Sequence, residues 1–141
     1  MGKMRLTDAG GLDILNTYVA AGGFSLECFT DSGALQDGQA VRELATGGGY
    51  AEVDLDLVAS AGSLVGGVPT MEWEDVTFTF SGPLTNAVNK TIKGVMLLRG
   101  ATIIVEQLLA APYTPANAGD ELTISPLMKL GNVPGYVADP A

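Results

Sequence analysis

Histidine is absent from all 141 residues, and the chain holds a single cysteine and a single tryptophan. Without histidine, Ser–His–Asp and Cys–His catalytic arrangements are excluded, and so is histidine ligation of a metal. Cys28 has no partner for an internal bridge and no neighbours for a metal site. It lies in FSLECFT among strand-forming residues, so it reads as a small buried hydrophobe. Cysteine usage leaves the redox compartment open, leaning towards the cytosol. Positive charge is also scarce: seven Lys and Arg against sixteen Asp and Glu give a net charge of −9. Duplex nucleic acid needs a dense basic patch, and anionic membranes attract basic segments, so neither is an expected partner. No apolar run approaches the ~18 residues of a membrane span. The opening MGKMRLTDAGG lacks the apolar core of a signal peptide. Neither a Walker A loop nor GxGxxG followed by a helix occurs. Gly47-Gly48-Gly49 precedes a strand and reads as a flexible linker. No internal repeat of fixed period is present.

What remains is apolar. Hydrophobic residues make up 47% of the chain and charged ones 16%, against about a quarter charged in an ordinary soluble domain. Surplus apolar surface of that kind is expected to be covered by copies of the chain or by a partner. The length suits one domain that buries roughly two thirds of its unfolded surface without disulfides.

The organising stretch is Thr91 to Leu109, TIKGVMLLRGATIIVEQLL. Two apolar runs flank Arg99-Gly100, where glycine can take the positive φ of a tight hairpin. Neither run alternates cleanly, so both faces of this hairpin are expected to be covered. Residues 7–21 predict the one helix, capped by Thr7 or Asp8, with Leu12, Leu15, Tyr18 and Val19 on one face. Gly10 and Gly11 weaken its first turn by ~1 kcal/mol each, and Gly22-Gly23 ends it. Phe24 to Thr30 predicts a strand with Phe24, Leu26 and Cys28 facing inward. Asp31 to Gly49 reads as a long excursion with a helical turn around Val41 to Leu44.

Tyr50 to Val58 alternates most cleanly, with Ala51, Val53, Leu55 and Leu57 opposite Glu52, Asp54 and Asp56, which predicts a half-buried strand with a solvated acidic face. Ala59 to Pro69 reads as a glycine-rich loop. Met71, Trp73, Val76, Phe78 and Phe80 follow, and the parity slips at Glu74-Asp75, which predicts a bulge or break. After a turn at Pro112 to Asp120, Glu121 to Leu130 predicts the last strand, with Pro126 marking an edge or a bulge. Together these describe a mainly β chain: a small antiparallel β-sandwich or barrel-like domain with one N-terminal α-helix, spanning residues 1–130. Residues 131–141 form a tail whose Val133, Tyr136 and Val137 need a surface to hold them.

Carboxylates are the only plentiful reactive groups. Asp54 and Asp56 share a strand face with Glu52, and Glu72 shares one with Glu74; such paired carboxylates could act as acid and base in glycoside hydrolysis, but alternating acids on a strand are far more often a solvated face. A calcium site at Asp31 or Asp37 lacks the close acid spacing of an EF-hand loop. Trp73 could stack on a sugar; in an alternating strand it belongs in the core. The chain is read as a non-enzyme, with no catalytic residue, metal or cofactor.

The order of motifs carries more information than any one of them. A capped helix beginning LTDAGGLDIL leads to a strand ending CFTD, then GGGYAEVDL, MEWEDVTFTF, NKTIKGVMLL and finally IIVEQLLAAPYTPANAGDELTISPLMKL. This order resembles a family of small virion-associated proteins encoded among the structural genes of tailed bacteriophages. The family runs from a helix through LYTND-like, GYA-like and FT-like strands to a GYY-like strand and a DxLxITP-like strand. The corresponding stretches here are 26–31, 49–55, 77–80, 91–98 and 120–126. The chain departs at Gly94-Val95-Met96, where the aromatic pair is missing, and in its tail after Leu130. The resemblance implies a structural role and transfers no catalytic residues. The expected function is a capsid decoration (cement) protein on the virion surface, made in the host bacterial cytoplasm. It would bind the major capsid protein and self-associate as a dimer or trimer. The alternative is a tail, neck or fibre-attachment component that binds tail proteins and a host glycan. Lys3, Arg5, Val133, Tyr136 and Val137 are the candidate interface residues.

Overall fold

A computed structural model of the chain describes residues 4, 6–31 and 42–130. They build one helix, nine strands and a short 3-10 turn, in the mainly β, antiparallel, sandwich-like arrangement that the residue pattern predicts. Helix α1 runs Asp8–Ala20. Thr7 caps it: its backbone is extended and its Oγ1 accepts the Gly10 N–H at 3.0 Å, filling one of the four donors a helix start leaves open. The helix begins at Asp8 despite its glycines because tertiary packing uses one of them. A Cβ on Gly11 would stand 2.7 Å from Pro69 Cγ, so only glycine lets the helix settle this closely on the sheet.

The main sheet has four strands in the order β2-β1-β6-β7, with β1 Phe24–Phe29, β2 Val53–Asp54, β6 Ile92–Arg99 and β7 Thr102–Tyr113. The β6–β7 hairpin turns at Gly100, whose φ is +61°, as expected. Strand β6 is buried on both faces. Its partner β7 is the sheet edge and contains no fully buried residue. That edge position explains why Pro112, expected in a turn, lies inside the strand: an edge can spare the N–H that proline lacks. The β6–β7 register slips between Leu97 and Leu98 and again between Ile92 and Gly94. Irregularities at both ends of an edge strand discourage pairing with a stray chain.

The second layer is a bent ribbon. Strands β4 (Val68–Trp73) and β5 (Val76–Thr79) run antiparallel to β9 (Leu127–Lys129) and β8 (Glu121–Ile124). Three residues, 73–75, lie opposite two, 125–126, which is the bulge that the parity slip at Glu74-Asp75 predicts. At this corner the Trp73 N–H donates to the Pro126 carbonyl at 3.1 Å. The Ser125 hydroxyl donates to Asp75 Oδ1 at 2.6 Å. Strand β3 (Ser60–Val65) completes the layer by pairing with β4. This corrects the loop expected from Ala59 to Pro69: Gly66 and Gly67, both at positive φ, make the two-residue turn between the strands.

The core fills the space between the layers. Phe24, Leu26, Cys28, Val95 and Leu97 from the main sheet meet Met71, Trp73, Val76, Phe78 and Phe80 from the ribbon, with Leu15 of α1. Trp73 is 5% exposed and Cys28 is fully covered, so both are core residues, as predicted.

Three further expectations need correcting. The alternation in Tyr50 to Val58 yields a strand of only two residues, after which Leu55–Leu57 forms a 3-10 turn and Leu57 points into solvent. The cause is local: Asp54 Oδ1 accepts the Asp56 N–H at 3.0 Å and so caps the turn. Around Leu44 the backbone is extended rather than helical and bridges to Phe29. The glycines at 47–49 are not a slack linker. They lie tightly against the 81–85 segment, with Ser81 N–H donating to Gly48 O at 2.8 Å and Thr85 N–H to Thr46 O at 2.7 Å.

Candidate functional site

The polar chemistry gathers on the outer face of the main sheet. Residues of β1 alternate, so Ser25, Glu27 and Phe29 face away from the core. Phe29 lies opposite Gly94 of β6 in the register, and a side chain at Gly94 would collide with its ring. Gly94 therefore makes room for an aromatic from the neighbouring strand. Met96, Leu98 and Ile103 complete a small second apolar cluster.

Arg42 closes this cluster. Its guanidinium carbon stands 4.5 Å from the centroid of the Phe29 ring, within cation–π range. Nη1 donates to Asp31 Oδ1 at 2.6 Å, Nη2 to Glu106 Oε2 at 2.8 Å and Nε to Glu106 Oε1 at 3.4 Å. The Arg42 side chain is 2% exposed and that of Glu106 7%. Hydrogen bonding to Glu106 raises the Arg42 pKa most, with Asp31 adding to it against the cost of burial. The group is a cation fixed between two carboxylates. The same segment is tied further: Glu43 N–H donates to Asp31 Oδ2 at 2.8 Å, and Asn86 Nδ2 donates to Glu43 Oε1 and to the Leu44 carbonyl.

Beside this cluster lies a second acidic group. Burial raises the Glu27 carboxyl from its ordinary 4.5 to about 7, and a hydrogen bond that its protonated form donates to Glu52, with repulsion by the Glu52 charge, adds to the shift. Cys28 is pushed to about 12, chiefly by burial and then by Glu27. Its own N–H donates to Tyr50 Oη at 2.9 Å. An acidic depression of about 460 Å³ adjoins the group, with Glu52, Asp54 and Asp56 on its walls. Asp56 is committed to the backbone: its two oxygens accept the Gly23 N–H at 2.7 Å and the Phe24 N–H at 3.2 Å.

Of the carboxylates singled out from the sequence, Asp54 and Asp56 share that depression with Glu52, and Glu72 stands apart from them. Asp54 lies in β2 of the main sheet and Glu72 in β4 of the other layer. Among the described residues no group of three or more acids or cysteines is placed to hold a metal ion. Asp31, weighed above as a calcium ligand, is instead taken up by Arg42 and the Glu43 N–H; Asp37 lies outside the described residues. So do all five candidate interface residues, Lys3, Arg5, Val133, Tyr136 and Val137. The Arg42 cluster itself escaped sequence reasoning because its members are 11 and 64 residues apart. One signal was available: Glu106 is the only charge in the apolar run of β7, and a lone acid among apolar strand residues implies a buried partner.

Chemically, the described residues of this face hold and orient one another through charge-assisted hydrogen bonds. Among the described residues no helix is long and apolar enough to cross a membrane. No protein-family model, curated protein or solved structure matches the chain.

Proposed function

We propose that the chain is a structural protein of a bacteriophage virion, a decoration (cement) protein that binds the assembled capsid and acts without catalysis. The observation that carries the reading is apolar surface left standing in solvent while Asp31, Asp56 and Glu106 are spent on the fold itself. Leu64 and Val65 of β3 are 44% and 48% exposed, and Ile14 of α1 is 51% exposed. Leu64 lies opposite Pro69, and Pro69 rests on Gly11 of the helix that carries Ile14. Exposed apolar side chains on an acidic domain suit association with protein rather than with nucleic acid. A part that binds only the assembled shell stabilises it by mass action, and closed symmetric contacts between copies cover the apolar area. The order of motifs set out above supplies the virion context. Burial of Trp73 removes the one tryptophan a glycan would stack on, which favours the capsid over the host-glycan alternative.

The test is direct. Purified protein is mixed with capsids lacking it, and co-sedimentation and shell heat resistance are measured beside its solution mass. Saturable binding with raised shell stability is expected. A strictly monomeric protein that ignores capsids sinks the proposal, and so does turnover of any substrate.

A further inference from the structure

Between α1, β7 and β9 lies an open apolar groove of about 370 Å³. Its walls include Ile14 and Tyr18 of the helix, Ile104 and Val105 of β7, and Lys129 and Leu130 at the end of β9. Among the described residues Lys129 is its only charged side chain. The volume lies at the lower end of the ~300–1,000 Å³ typical of ligand sites, and among the described lining residues only Tyr18 and Lys129 carry polar side-chain atoms, too few to orient a small molecule.

Where the chain leaves the groove says what can fill it. The Leu130 N–H donates to the Pro69 carbonyl at 3.0 Å, so the exit point is fixed at the groove wall itself. The eleven residues that follow, GNVPGYVADPA, bring Val133, Tyr136, Val137 and one charge, Asp139. Extended chain from Leu130 reaches about 10 Å at Val133 and about 25 Å at Val137, enough to lie along the groove after a turn at Gly131 or Pro134-Gly135. The apolar character matches, and Asp139 is opposite in sign to Lys129. A short tether also gives the segment an effective concentration on the order of millimolar at its own groove, well above that of the same segment on another copy in dilute solution.

We propose that residues 131–141 dock in the α1–β7–β9 groove of their own chain. The inference stands apart from the virion reading: capsid binding can fail while the segment still docks, and the reverse.

The experiment uses the full-length chain carrying Ile14→Cys with Val137→Cys, and separately Ile14→Cys with Val133→Cys, oxidised mildly over a range of protein concentrations. Cys28 is fully covered and stays silent. The expected result is a disulfide within one chain, in at least one pair, whose yield does not change with concentration; a bond requires Cα atoms within about 7 Å. A bond between chains that grows with concentration overturns the proposal in favour of a second copy, and absence of any bond in both pairs overturns it outright. Independently, full-length protein with Tyr136→Asp and Val137→Asp should bind an apolar-surface dye severalfold more strongly at unchanged far-UV circular dichroism. An unchanged dye signal overturns the proposal whichever way the cross-links fall.

Discussion

The two faces of the main sheet are held by different physics. The inner face is closed by side chains that pack almost entirely through apolar atoms: Leu26, Cys28, Val95 and Leu97 against Trp73, Phe78 and Met128. Among the described residues the buried apolar cluster of the outer face is Phe29, Met96 and Leu98, too few to fix its cover by area alone. An ion cluster takes over there. Arg42 ties the segment after residue 41 to edge strand β7 through Glu106, 64 residues away in sequence. Apolar packing tolerates modest change in shape, whereas a buried ion pair demands both partners. The inner face should therefore degrade gradually under substitution and the outer face abruptly.

The sharpest way to break that contrast is Arg42→Ala. It leaves Glu106 buried beside an apolar cluster without its cation, a loss of about 3–5 kcal/mol in urea unfolding. Replacing both partners, Arg42→Met with Glu106→Leu, should recover most of that loss, because the buried Glu106 charge is then gone and Asp31, partly exposed, still accepts the Glu43 N–H. If the double variant is as unstable as the single one, Arg42 acts through packing on Phe29 and the contrast fails. Trp73→Ala on the inner face should cost a similar ~3–5 kcal/mol, but it is a cavity and no second polar change rescues it. Next in size is Gly94→Ala. Its methyl group meets the Phe29 ring, and forcing that ring aside should cost ~1–3 kcal/mol, read as a lowered urea midpoint at constant slope. Asp56→Ala comes close behind. It orphans the N–H groups of Gly23 and Phe24 where the helix hands over to β1, for about 1–3 kcal/mol; Asp56→Asn, which keeps one acceptor oxygen, should lose less.

These contrasts follow how the sequence is written. Signals confined to neighbouring residues were legible: the Thr7 cap, the alternation of Phe24, Leu26 and Cys28, the hairpin at Gly100, and the slip at Glu74-Asp75 matched by Pro126 across the ribbon. Strand β3 was not, because all but one of its six residues are exposed and no alternation marks a buried face; only the Gly66-Gly67 pair betrayed it. The segment at Tyr50 to Val58 misled for the opposite reason. Its alternation is real, but side-chain oxygens of Asp54 and Asp56 take backbone N–H groups and turn the chain out of the sheet. The Arg42 cluster was illegible because its partners meet only after folding. Hydrophobic period reports burial, and it says nothing of which charge will find which.

The smallest effect, and the most diagnostic of the outer face, is on pH. Glu27 has a folded value near 7 against an ordinary 4.5, raised first by burial and then by Glu52. Between those two values the folded chain holds more protons than the unfolded one, so stability must fall as pH rises from about 4.5 through about 7. Carboxylates held in ion pairs or capping bonds slope the other way. Asp120 is one: the Asn117 and Ala116 N–H groups hold its pKa below 3.8, so its contribution is present at neutral pH and is lost only as pH falls through its folded value. The Cys28 thiol, held near 12, adds a second decline that begins only above about pH 9. Thermal unfolding followed from pH 7 down to pH 5 should therefore show a rising midpoint. Glu27→Gln, which keeps the hydrogen bond and removes the titration, should flatten that rise and leave the branches below pH 4 and above pH 9 in place. A slope that survives Glu27→Gln would assign the titration to another group, and the outer face would then carry its ionic cost at Arg42 alone.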